Sequence, residues 1–348
     1  MTDRSIVPDE NPDAAIDRSG ADTANATTDH LVDDVAAAGA ASADAAPPRV
    51  QQESRWTVLR RMFRTAPLTA WFGMIVILLY VFTALFADLI APFSETENPG
   101  RSFEPPGEVY WLGTDNLGRD MLSRMIYAAR NTVGIAFVTT ALAFMLGGLL
   151  GLLAAVFGGW TDNILSRIVD VLMAIPQLIF ALLALTVLNS QLSTMEDVPS
   201  WAYTLGLILI IAVLDSTRVY RLTRAVAMNI VVMDYVEAAR LRGEGTWWLI
   251  RKEILPNATA PLIAEFGLRF CFVFLTISAL SFLGLGIQPP LADWGSMVRA
   301  NADMIGFANI DPTVAIYPML PAAAIALLTV SVNFVVDWML HRSSGLKE

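Results

Sequence analysis

Residues 237–256 read Glu237-Ala238-Ala239-Arg240-Leu241-Arg242-Gly243, nine further residues, then Glu253-Ile254-Leu255-Pro256. Glu-Ala-Ala is strongly helix-forming. Gly243 ends or bends a helix at little steric cost. Pro256 cannot sit inside a helix without losing a hydrogen bond, so it suits a helix start. The expected local structure is a helix, a glycine turn, a second short helix and then a long one. Long apolar segments flank the stretch on both sides, so it reads as a water-exposed loop between membrane spans.

The composition supports that setting. Of 348 residues, 55% are hydrophobic, and the mean hydropathy is +0.53. Several segments reach the ~18 apolar residues that a membrane helix needs. The spans are expected at about 68–90, 132–157, 168–188, 202–214, 261–282 and 314–338, with a basic, water-exposed stretch from about 217 to 257. Gly147, Gly151, Ala155 and Gly159 are spaced four apart, a small-residue face that lets another helix approach closely in lipid. Pro176 is expected to kink the third span, with Gln177 beside it a candidate pore-lining residue.

Charge sets the expected orientation. Fourteen Arg or Lys fall in segments on the side of the 217–257 loop, against five in the opposite loops. That asymmetry places the loop, and both termini of a six-span chain, in the cytoplasm. Residues 1–55 hold eleven acids and four bases, hence −7 of the net −10. They carry few large apolar groups and are expected to be a disordered acidic tail. They lack the basic start and apolar core of a secretory signal. Residues 56–345 then form the membrane domain.

The pattern as a whole resembles the permease subunits of binding-protein-dependent ABC importers, in their dipeptide/oligopeptide/nickel branch. The Glu-Ala-Ala stretch is similar to that family's EAA loop, with Gly six residues after the Glu and Leu-Pro at the nineteenth and twentieth positions. A second match is Leu112-Gly113-Thr114-Asp115-Asn116-Leu117-Gly118-Arg119-Asp120, followed by Leu122-Ser123-Arg124 and Tyr127. A third is Leu280 to Gly286, then Gln288-Pro289-Pro290 and Trp294-Gly295. The basic segment from Trp56 into the first span, and Asn333 with Asp337 near the end, also match. Two positions depart. Relatives often carry His where this chain has Glu253, and Glu where it has Ile277.

The resemblance implies an all-α integral membrane fold of six transmembrane helices with a cytoplasmic coupling helix. It implies a pore shared with a second permease subunit as a heterodimer, two ATPase subunits on the cytoplasmic face and an extracytoplasmic substrate-binding protein. Glu237, Ala238, Ala239, Gly243, Trp247, Leu255 and Pro256 would dock the ATPase. Trp247 and Trp248 could equally lie at the bilayer interface. In the Gly113–Asp120 motif, Asp120 can cap the following helix, and Arg119 and Arg124 can hold acids or the partner subunit. The cargo implied is a di- or oligopeptide, with nickel chelates or short oligosaccharides as alternatives.

The chain has no G-x-x-x-x-G-K-[ST] loop, so ATP is expected to be used by partner subunits and no cofactor bound here. The two histidines, His30 and His341, argue against a metal site, and no nucleic acid is expected. Cys271 is expected to be a small core residue. Of the charges in the spans, Glu265 and Arg269 are four apart and can pair. Asp88, Asp170, Asp215 and Asp337 are expected near span ends, within reach of interfacial water. A stand-alone secondary transporter would show paired inverted repeats. An intramembrane enzyme would need clustered catalytic groups. Neither pattern is visible, and the chain is not expected to be an enzyme.

Overall fold

The computed structural model describes residues 66–343. The acidic tail, the basic segment from Trp56 and residues 344–348 lie outside them. Helix α1 (Leu68–Leu85) leads through the single-turn α2 (Ala87–Ile90) into a long loop. Then come α3 (Met121–Ala128), a π-helical turn at Ala129–Val133, and α4 (Gly134–Phe157), which together run as one rod. Next are α5 (Gly159–Ala174), α6 (Gln177–Ser193) and α7 (Ser200–Val231). The short α8 (Asp234–Leu241) and α9 (Thr246–Leu249) precede a π turn at Ile250–Ile254 and the long α10 (Leu255–Phe282). Last are α11 (Trp294–Ala300) and α12 (Ile316–Ser343). Among the described residues no element is a strand.

Five helical rods are long and apolar enough to cross a membrane. The sixth span exists only if α5 and α6 count together, because they meet at 88° across Ile175-Pro176. Pro176 has no N–H to carry the helix through and disfavours helix at the preceding residue. The break is therefore far sharper than a kink.

The fourth span is the main correction. The sequence reading ends the apolar helix at Leu214, but α7 continues unbroken to Val231. Arg218, Arg221 and Arg224 lower the average hydropathy of that segment. A helix nevertheless needs one apolar stripe only. Val219, Tyr220, Thr223, Ala227 and Ile230, all buried, supply it.

The small-residue face works against α7. A Cβ on Gly147 would collide with the backbone oxygen of Ser216, and one on Gly151 would lie 2.8 Å from that of Tyr220. Gly159 does not belong to this face, because Gly158 and Gly159 both turn the chain between α4 and α5 with positive φ. Two large apolar clusters result, beside a small one of Ala154, Val169 and Tyr220. The larger gathers Leu185, Leu207, Ile211, Phe274, Ile277, Leu280, Trp294 and Leu328. The smaller joins Leu152, Ala227, Ile230, Val236, Ala239, Ile250 and Ile254 at the other end of the bundle. Ile277 is fully buried, so the apolar residue at this position serves packing.

Candidate functional site

Helix α8 carries the Glu-Ala-Ala stretch. Asp234 and Glu237 occupy its first turn, where carboxylates oppose the positive end of the helix dipole. Gly243 ends it with φ +85°. Its N–H donates to Arg240 O at 2.9 Å, and the Glu244 N–H donates to Ala239 O at 3.2 Å. This is a Schellman cap, which calls for a residue in the left-handed region and hence for glycine. A side chain there would meet no atom, so backbone conformation alone imposes the glycine.

Val236 and Ala239 anchor α8 on the smaller cluster, against α7, α4 and the turn before α10. Glu237, Ala238 and Leu241 face outward. Leu241 is 84% exposed and Trp247 67%, and Val232 and Met233 are exposed beside them. The tryptophan pair divides: Trp248 packs onto the cluster and Trp247 points away from it. Pro256 sits in the first turn of α10, as its missing N–H favours. Leu255 and Pro256 are exposed, while their neighbour Ile254 is buried and makes the link to α8. Four bases (Arg240, Arg242, Arg251, Lys252) and four acids (Asp234, Glu237, Glu244, Glu253) surround this face, all exposed except Glu244 and Glu253, which are half-buried.

The Gly113–Asp120 motif lies at the opposite end and is closed on itself. Thr114 is buried; its Oγ1 donates to Arg101 O at 2.5 Å and accepts from the Glu104 N–H at 2.8 Å. Asp115 is buried too, and its Oδ1 accepts from the N–H groups of Leu117 and Arg119. Its Oδ2 accepts from Arg119 Nε at 2.8 Å, and Arg124 Nε lies 3.5 Å away. Both arginines thus hold an acid, and it is the motif's own. Asp120 caps α3 by accepting from the Ser123 N–H at 2.8 Å and its hydroxyl at 2.6 Å. Gly113, at φ +74°, lies against Glu104 O and the Tyr317 hydroxyl, 2.5 Å from where a Cβ would stand. Gly118 O accepts from the Gly100 N–H.

The Leu280–Gly286 and Trp294 segments complete this end. Asp293 caps α11 through the N–H groups of Gly295 and Ser296, and burial pushes its carboxyl above the usual carboxylate range. Trp294 is buried between the rings of Tyr80 and Phe274, its indole N–H donating to Met125 O at 3.2 Å. Glu95 bridges the loops by accepting from Asn131 and from the Ala292 N–H.

The charges in and near the spans divide. Glu265 and Arg269 pair on α10 as expected. Asp170 and Asp337 are exposed. Asp88 is exposed and pairs with Arg130 at 2.7 and 3.1 Å; the guanidinium's hydrogen bonds hold its carboxyl below the usual range. Asp215 departs from expectation: it is fully buried near the middle of α7. The sequence places it at a span end only because α7 is read too short. Among the ion pairs that the sequence reading does not name, Asp162 of α5 joins Arg224 of α7, including a 2.5 Å contact. Its partners are 62 residues apart, and no local spacing announces it. Among the described residues no group of three or more metal-ligating side chains gathers, and Cys271 is buried.

Comparison with known proteins agrees with this architecture. Residues 147–344 match the family described as binding-protein-dependent transport system inner membrane component. Residues 54–106 match the N-terminal TM domain of oligopeptide transport permease C. The chain is similar to a glutathione transport system permease protein of Pectobacterium atrosepticum, 32% identical over 81% of this chain and 88% of that one. It is 36% identical to a di/tripeptide transport system permease protein of Pseudomonas aeruginosa, over 67% of this chain and 75% of that one. A dipeptide transport system permease protein of Haemophilus influenzae is 33% identical, over 77% and 87%. With its multi-pass helical bundle, the chain belongs to the family of inner membrane components of binding-protein-dependent transport systems.

Proposed function

We propose that this chain is one permease subunit of an ABC importer for di- and oligopeptides, paired with a second, non-identical permease. Two ATPase subunits bind its α8 face and hydrolyse the ATP, and an extracytoplasmic binding protein delivers the peptide. Both termini and the α8 end then lie in the cytoplasm, with the Gly113–Asp120 end outside. The carrying observation is the build of α8. One face is anchored through Val236 and Ala239 to the cluster at the start of α10, and the other presents Leu241 uncovered, with Trp247 exposed nearby. Exposed apolar groups on a rigidly backed helix fit a partner's groove. ATP-driven closure of the ATPases would push α8, and Ile254 would pass the motion into α10. The chain then does mechanical work and no covalent chemistry.

The test is disulfide-length crosslinking from Ala238→Cys in native membranes. The reading expects an adduct with a P-loop ATPase whose yield changes on adding ATP. An adduct with no P-loop protein under any nucleotide condition overturns it.

A further inference from the structure

A cavity of about 510 Å³ opens between α1, α4, α10 and α12, with Tyr80, Ala84, Gly134, Phe137, Phe266 and Leu328 among its walls. Tyr80 carries the one polar side chain on those walls, and its hydroxyl is turned away to donate to Ala324 O at 3.0 Å. Val81, Leu85 and Phe137, also wall residues, are exposed, so the cavity is a groove that opens sideways onto the apolar flank of the bundle. A Cβ on Gly134 would meet no atom within 4 Å, so the groove reaches the α4 backbone.

One end of the groove is charged. Arg130 lies one turn before Gly134. Its Nε donates to Ala84 O at 3.1 Å, and its two terminal nitrogens donate to Asp88, one turn beyond Ala84. The Tyr127 ring backs the guanidinium, 5.6 Å from centroid to carbon. Both charges reach solvent, the Asp88 side chain 73% exposed and that of Arg130 37%. A guanidinium has five N–H donors, so two remain beyond the three used here. Size and charge select the occupant. A partner's helix is about 10–12 Å across, so the groove holds roughly one turn of it. An apolar cavity of about 150 Å³ takes the six carbons of benzene, so this one takes roughly eighteen, one acyl chain. From Ile77 to Leu85 it follows α1 for about 12 Å, close to the ~15 Å hydrocarbon depth of one leaflet. The two charges cancel, so an anionic head group gains nothing from the pair as a whole, whereas a zwitterion meets both signs.

We propose that this groove binds one acyl chain of a zwitterionic phospholipid, whose phosphate takes the remaining N–H donors of Arg130 and whose ammonium group faces Asp88. Seated there, the chain fills the gap between α1 and α4 and ties the two helices together. The site does not depend on the importer reading; only its assignment to the outer leaflet rests on the orientation proposed above.

The test uses the complete protein assembly in phosphatidylglycerol vesicles that contain a trace of phosphatidylethanolamine or of phosphatidylglycerol with a photoactivatable acyl chain. Crosslinks are read by mass spectrometry at Phe137 and Phe266 in the groove and at Leu78, which is exposed on α1 outside it. Two exposed charge contacts predict that the ethanolamine probe labels the groove about three- to tenfold more than the glycerol probe, with Leu78 labelled alike by both. Gly134→Leu, which fills the groove, should remove the label from Phe266 and leave that on Leu78. Arg130→Gln combined with Asp88→Asn should equalise the two probes in the groove. Equal labelling of the wild-type groove by both probes overturns the proposal. So does a groove closed to both probes while Leu78 is labelled, the result expected if the second permease covers it. If Gly134→Leu fails to assemble, the probe comparison in the wild type and the double variant still decides.

Discussion

At the residue scale, Gly243 and Asp115 show which side chains are legible in a sequence and why. Gly243 is required by a backbone angle, and a glycine after a helix-forming run announces that angle directly. The role of Asp115 depends on Arg124, nine positions on, and on a loop that closes through Thr114 onto Arg101. The sequence shows that the motif is dense in turn formers but not that it satisfies itself. Removing the Asp115 carboxylate strands two arginines, one of them buried, and such losses cost about 3–5 kcal/mol. Asp115→Ala should therefore lower the thermal midpoint of the purified protein markedly, while Asn116→Ala should not. Asp88 gives a pH prediction. Its carboxyl is held below the usual range by Arg130, so the pair stabilises the fold above about pH 4. That contribution is lost as pH falls through the lowered value. Asp88→Asn should remove this acid-side fall from a series of thermal midpoints between pH 3 and 6. The effect should be small, because the pair is exposed to solvent.

At the scale of elements, hydropathy finds the spans where the residues are apolar all round and fails where one stripe is enough. α1 and α12 expose apolar side chains on most faces and are found within a few residues of their ends. α7 carries arginines outside and a buried stripe inside, so averaging truncates it and misplaces Asp215. The α5–α6 break shows the other limit: a proline reports that a helix is disturbed but not by how much, here 88°. The close contact of α4 with α7 was legible, because glycines four apart state it outright. Gly151→Leu would push its side chain into the α7 backbone beside Tyr220. Overpacking of this kind costs about 1–3 kcal/mol or more. The variant should be cleaved by protease in α7 at temperatures where the wild type resists, while Gly148→Leu, which faces open space, should behave as the wild type.

At the scale of the whole molecule, the two ends of the bundle are built differently. The Gly113–Asp120 end is tied by internal hydrogen bonds, a buried tryptophan and a capped α11. The α8 end keeps its apolar side chains uncovered on a firmly anchored helix. The smaller cluster is the joint between α8 and α10, so Ile254→Ala should loosen it by about 2–4 kcal/mol. Peptide uptake per ATP hydrolysed should then fall, with the subunits still assembled. The central claim is that α8, shaped by its glycine cap, holds the ATPases. Gly243→Pro tests it most directly, because proline removes the N–H that bonds Arg240 O and forces φ from +85° to about −65°. Co-purification from membranes should recover P-loop ATPases and a second permease with the wild type, and only the second permease with the variant. Recovery of no P-loop protein even with the wild type, or equal recovery from both, would contradict it.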